Sequence, residues 1–485
     1  MSRLVAKKSI CLVALLSAAT ALAWTAWAAE PAPIAPAANT APATTSAPAT
    51  PPLTYDAISD TKYYPKPDLP KIGPAGFIFK DPTFGCPMVR VSDEKTADGA
   101  SIHTPAGSVQ NTWNTDSTMF IATSEGGRAI PFQFDPKTLK VSRIPGLDTI
   151  PNVSGDTPFS YREKNVCYGK DIGRAVIVKF DFATRKTTDV CDVAKVTGLP
   201  VVNGHLGMFT ISANDVLCVC FGGAGQNQDM YCLVYDMKNG AHHVWNTKEG
   251  TIDGKAIPGA PSVLMHACAI DAGGRYVSAT VAGLWFWDTR KATLFQVPGL
   301  NGHRAFGYGE MVYSSQSVYQ KLDPEGMKEP KRLLSIHGFS YDTHTSCNNA
   351  REGMLVPALL SSEHAQEMGD PKCPCGDEVF AVATDGSQKV WRFCHTRTLV
   401  HVPNRDAAGR MANPTSQKNM AEAQPYNFWD TPRGNVSQDG RFFMFNSNWE
   451  DTLGKDRGGR FRQDVFIVKL QRDETTAAPA SAPAK

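Results

Sequence analysis

One short pattern recurs along this chain and limits what it can fold into. The segment IPFQFDPKTLKVSRI at 130–144 returns as AVIVKFDFATRKTTDV at 175–190, MYCLVYDMKNGAHHVW at 230–245 and GLWFWDTRKATLFQV at 283–297. Weaker copies stand at 77–92, 319–335 and 378–393. Each copy is a β-branched and aromatic run that ends in Asp, a polar turn, and a second such run. Val, Ile, Phe, Tyr and Trp suit a pleated, half-buried surface. The Asp supplies a side-chain acceptor for the turn that follows. The turn residues are Asp81, Asp135, Asp181, Asp236, Asp288, Asp323 and Asp385, separated by subtraction by 54, 46, 55, 52, 35 and 62 residues. Self-similarity at about 20–50 residues, slightly stretched here, signals a solenoid, a propeller or an array.

A second hairpin with a polar turn precedes several copies, as in NTWNTDSTMFIATS (111–124) and HACAIDAGGRYVSATV (266–281). Four short strands per unit, repeated radially, make a β-propeller, which leaves only short sheet edges exposed. The expected fold is therefore all-β, a single propeller of seven four-stranded blades. First strands are expected near 108, 157, 207, 265, 306, 344 and 434. The N-terminal copy at 77–92 lacks a first hairpin, whereas the last unit has one at 435–447 followed by QDVFIVKLQ. Pairing the two would build one blade from both ends of the chain.

The ends of the sequence read differently from its middle. Residues 1–28 combine a basic start, a short apolar run and Ala26-Trp27-Ala28, the pattern of a cleavable secretory leader. Residues 29–54 and 473–485 are rich in Pro, Ala and Thr, a composition of linkers and tails. The propeller is expected over 55–472, interrupted at 401–424 by an insertion poor in strand formers. The mature protein is thus expected in the periplasm or outside the cell, with no integral membrane segment. A net charge of +2 without basic clusters argues against a nucleic-acid partner. Loss of Cys11 with the leader leaves eleven of twelve cysteines, an odd number, so at least one thiol is expected to be free. Cys218 and Cys220 share one face of a strand beside Cys232, consistent with a cross-strand disulfide or with small buried apolar side chains. Cys373 and Cys375 lie in a hairpin tip.

Propellers bind ligands where inter-blade loops converge on the channel. Only eleven histidines occur, and four of them, His205, His266, His303 and His344, fall near starts of first strands. Neutral imidazole serves as metal ligand and as general base near neutral pH. Such residues can equally cap strand ends or bond neighbouring blades. Arg304 and Arg351 could pair a carboxylate. Asp342, Tyr426, Asn427 and Asn435 occupy related positions, and Tyr308 could accept a proton or stack on a ligand, as could Trp113, Trp429 and Trp449. Trp285, Trp287 and Trp391 read as blade core. No nucleophile elbow, phosphate loop, dinucleotide fingerprint or His-Glu-x-x-His helix is present.

The aromatic-Asp hairpins, the segment VSQDGRFFMFNSNW and the channel-phase histidines together resemble the TolB-like propeller superfamily, and within it the secreted oligogalacturonate lyase-like proteins. The resemblance spans about 75–471 and implies a propeller fold. It also implies a divalent metal, Mn or Ca, held by His266, His303 and His344, and elimination across a uronate. On that basis the metal or Arg304 would neutralise the carboxylate, while a histidine, His303, or Tyr308 would remove the proton. His205, Asp342, Arg351, Tyr426 and Asn427 would contact the ligand. Two functional classes follow: a non-catalytic exported propeller that binds a glycan or protein partner at its channel mouth, and a uronate lyase. Convergence of several imidazoles and an Arg in one pocket is the feature that separates them.

Overall fold

The computed structural model describes residues 54–105, 107–223, 228–280, 283–296, 303–315, 318–322, 331–335, 343–362, 374–400 and 430–472. The insertion at 401–424 and the residues Asp323, Asp342, Cys373, Tyr426, Asn427 and Trp429 lie outside them. The described residues form seven antiparallel sheets, with one short helix at Val193–Thr197 and a 3-10 turn at Val202–Gly204. No described helix is long and apolar enough to cross a membrane.

Strand alternation explains the packing. Along Val216–Phe221 in the third sheet, Leu217, Val219 and Phe221 face the second sheet, whereas Cys218 and Cys220 face the fourth. In the seventh sheet Phe443 and Phe445 pack on the sixth, and Phe442 and Met444 pack on the first. Period two thus gives each strand two different apolar neighbours. Seven apolar clusters result, each between consecutive sheets and the last between the seventh sheet and the first. Trp113 and Trp449, read from sequence as ligand-stacking candidates, are both buried in these clusters. Trp287 and Trp391 are core as expected.

The turn aspartates act as the sequence suggests. The Asp135, Asp181, Asp236, Asp288 and Asp385 carboxylates each accept the backbone N–H two residues on. Strand number departs from four in three sheets. The third sheet extends to six strands through Thr251–Ile252 and Lys255–Ala256, and the seventh has five. The second has three named strands, with Phe159 bridging to Cys167 inside them.

The seventh sheet takes strands from both ends of the folded chain. Pro87–Arg90 pairs antiparallel with Asp464–Lys469, with Met88 opposite Val468, and Ile78–Lys80 adds outside it. An ion pair pins this seam. Arg90 donates from Nη2 and Nε to Asp464 Oδ2 at 2.6 and 3.0 Å, both residues being buried. Truncating one partner of a buried pair strands the other charge. Arg90→Ala is therefore expected to lower unfolding stability by about 3 kcal/mol, with Arg462 only partly compensating at 3.5 Å. Urea unfolding checks this, and a loss below about 1 kcal/mol, the range of exposed pairs, would show that the seam does not depend on the bridge.

Candidate functional site

In four sheets the residue just before the innermost strand lies at one mouth of the channel. His205 precedes Leu206–Ile211, His266 precedes Ala267–Ile270, His303 precedes Arg304–Phe306, and Arg433 precedes Gly434–Val436. These residues line one cavity of about 530 Å³, with His344 from the sixth sheet and Lys170 from the second. Residues 107–110 from the first sheet line it as well, so all seven sheets contribute.

Residues 107–110 form the floor. Asn435 donates its side-chain amide to Ser108 O at 3.0 Å and Gln110 O at 2.9 Å, and Asn348 donates to Gln110 O at 2.7 Å. Gln110 donates in turn to Phe209 O at 3.5 Å. Val109 packs on the apolar cluster between the fourth and fifth sheets. These bonds tie the third, sixth and seventh sheets to one partly buried segment, and Val109 adds a contact to the fourth and fifth.

The cavity's charges are unevenly matched. Lys170 Nζ reaches Asp156 at 3.2 Å and donates to Gly207 O at 2.9 Å. Burial raises the Asp229 carboxyl above its ordinary range. Arg304 Nε donates to Ser278 Oγ at 2.8 Å. Burial lowers its guanidinium to about 10, so it stays charged at neutral pH. Among the described residues Arg304 has no carboxylate partner. The His303 and His344 rings stack with centroids 4.2 Å apart and planes at 27°. Burial holds His344 well below the usual imidazole range, with His303 and Arg433 adding to the shift. Burial, then Arg304 and His303, lower His266 as well. Both are neutral imidazoles at pH 7.

Of the residues expected to act together, His205, His266, His303, His344 and Arg304 share this cavity. Tyr308 and Arg351 do not. They line a separate depression of about 390 Å³ with Arg162, Asn348 and Asp439. Asn348, in that depression, is bonded to the floor of the first cavity, so the segment 107–110 stands between the two. Tyr308 therefore does not reach a ligand held by Arg304. The ring nitrogens of the three histidines expected to hold a metal do not all lie within 4.8 Å of one another. Among the described residues only Cys218, Cys232 and Cys268 form a trio of His, Cys, Asp or Glu ligand atoms within 4.8 Å of one another. Arg433, Lys170, Asp156 and Asp229 were not singled out from sequence. Arg433 occupies the same position before its strand as His303 does, and that phase rule would have found it.

No protein-family model matches the chain, and no curated protein matches it in sequence. The crystal structure of an oligogalacturonate lyase from Vibrio parahaemolyticus aligns over 82% of this chain and 98% of its own, with TM-score 0.52 and 11% identity. The WD40 repeats of RRP9 align over 81% and 99%, with TM-score 0.43 and 10% identity. This chain is a β-propeller. At such identity the likeness to the lyase is one of fold.

A buried histidine beside the cavity makes stability depend on pH. His103 is enclosed, its Nδ1 is 2.8 Å from Thr104 O, and burial lowers its pKa from 6.5 to about 4. As pH falls, the unfolded chain takes up this proton first, so stability present above pH 6.5 is lost through the interval down to about 4. The loss from this group is on the order of 3 kcal/mol. Urea unfolding at neutral pH and near pH 4 should show that loss, reduced in His103→Gln. An equal loss in the variant would assign the dependence elsewhere.

Proposed function

We propose that this protein is an exported β-propeller that binds a carboxylate-bearing oligosaccharide in the cavity above residues 107–110. Arg304 carries the reading. It is charged, bonded to Ser278, placed in the cavity and without a carboxylate partner among the described residues. A guanidinium so placed offers its remaining donors to a ligand anion. The cavity is within the size range of small-molecule sites, and its neutral imidazoles donate or accept hydrogen bonds to sugar hydroxyls. The leader-like residues 1–28 support export, where polysaccharide fragments are met.

A second reading, elimination across a uronate, is favoured by His266. Its imidazole is neutral and lies within electrostatic reach of Arg304. Pairing of a uronate carboxylate with Arg304 would acidify the C–H beside it, and His266 would accept that proton. The electron pair would form a C=C bond as the C–O bond breaks, and the departing glycosidic oxygen would take a proton from solvent. Tyr308 has no part in this scheme.

Calorimetry with galacturonate oligomers and with uncharged galactose oligomers tests the binding reading. The acidic series should bind more tightly, and Arg304→Ala should weaken it about 10- to 100-fold, the loss of a charge-assisted hydrogen bond of about 1.5–3 kcal/mol. Equal affinity for both series, or an unaffected variant, would overturn it. Mass spectrometry of the incubated oligomers separates the two readings: shortened unsaturated products identify a lyase, and intact oligomers with retained affinity identify a binding protein.

A further inference from the structure

Behind the wall of the cavity, between the third and fourth sheets, four cysteines converge. Alternation sets Cys218 and Cys220 on one face of Val216–Phe221. Cys232 stands opposite Cys220 on Tyr231–Asp236, and Cys268 comes from the innermost strand of the next sheet. Cys218 Sγ lies 3.5 Å from Cys232 Sγ and 3.3 Å from Cys268 Sγ. The three sulfurs are all within 4.8 Å of one another, and each residue is fully buried. Cys220 is fully buried beside them and interacts with Cys268.

We propose that Cys218, Cys232 and Cys268, with Cys220 as fourth donor, form a structural zinc site that clamps the third sheet to the fourth. Geometry is the first argument. A Zn–S length of about 2.3 Å in a tetrahedron separates sulfurs by about 3.8 Å, close to the 3.5 and 3.3 Å from Cys218 to Cys232 and Cys268, while Cys220, whose Sγ faces Met208 O at 3.5 Å, would turn toward the ion. The four donors sit on three strands, and strands hold a ligand set more rigidly than loops do. All four ligands are soft, which selects thiophilic ions over Mg²⁺ or Ca²⁺. Charge is the second argument. Four thiolates and one Zn²⁺ leave a net charge of −2 in an apolar cluster, and a nearby cation is needed. Arg304 is within electrostatic reach of Cys268 and Cys220, and has no carboxylate partner among the described residues.

Each thiol gives up its proton to solvent as zinc binds, and no electrons are transferred. Because no ligand is solvent-exposed, loading accompanies folding. The site shares Arg304 with the cavity, and zinc content is measured without the cavity's ligand.

Elemental analysis of the purified mature chain should find one zinc per protein. Cys218→Ala and Cys268→Ala should each lower it to a small fraction of that. Should the variants not fold, wild-type protein refolded with Co²⁺ should show thiolate-to-cobalt charge-transfer absorption. Thiol titration in denaturant with chelator should then count eleven, the twelve of the sequence less Cys11. Absence of both bound zinc and the cobalt band would overturn the proposal. So would a titration of nine thiols with no metal, which would mean that two of the cysteines are joined as a disulfide.

Discussion

Strands near the middle of a sheet, such as Val216–Phe221 and Phe442–Ser447, are buried on two faces by two different neighbours, and that constraint shapes the rest of the molecule. A sheet with one solvated face would show polar residues at alternate positions. Phe442, Phe443, Met444 and Phe445 follow one another without interruption because odd and even positions enter different cores. The first sheet must then meet the seventh, and strands from both ends of the folded chain share that last sheet. The buried Arg90–Asp464 pair sits at this junction because the strands it joins are neighbours in space but not in sequence.

The candidate site is a consequence of the same arrangement. Innermost strands start at one mouth of the channel, so whatever precedes them is brought together without any local motif. Imidazoles from the third, fourth, fifth and sixth sheets meet there by phase alone. Residues 107–110 cross the channel and divide it, leaving Arg304 on one side and Tyr308 on the other. Two residues four apart, one opening a short strand and one just beyond its end, therefore serve different surfaces.

What could be read from the sequence was local or periodic. Turn aspartates are legible because each satisfies its own hairpin within two or three residues, whatever the sheet does. Asp81 shows the limit of that signal. It makes the same turn, with Thr83 and Phe84 donating to its Oδ1, but between the two outermost strands of the seventh sheet. The strands Thr251–Ile252 and Lys255–Ala256 were hidden because two-residue strands carry no periodicity; Asp253 fixes them by accepting from Val244 N and contacting His243. The histidine phase was legible, since it counts residues from a turn. The channel floor, the burial of Trp113 and Trp449, and the approach of Cys268 to Cys218 were not, because each depends on contacts between sheets far apart in sequence.

The central claim is that the imidazole-lined cavity holding Arg304 is where an acidic oligosaccharide binds. Nuclear magnetic resonance of the histidine ring nitrogens during titration with galacturonate oligomers tests it most directly. The account predicts that signals of His266, His303 and His344 move with a common saturation curve while those of His242 and His243, on an outer strand of the third sheet, stay fixed. Unmoved cavity histidines at saturating ligand, or shifts confined to the outer-strand pair, would contradict it.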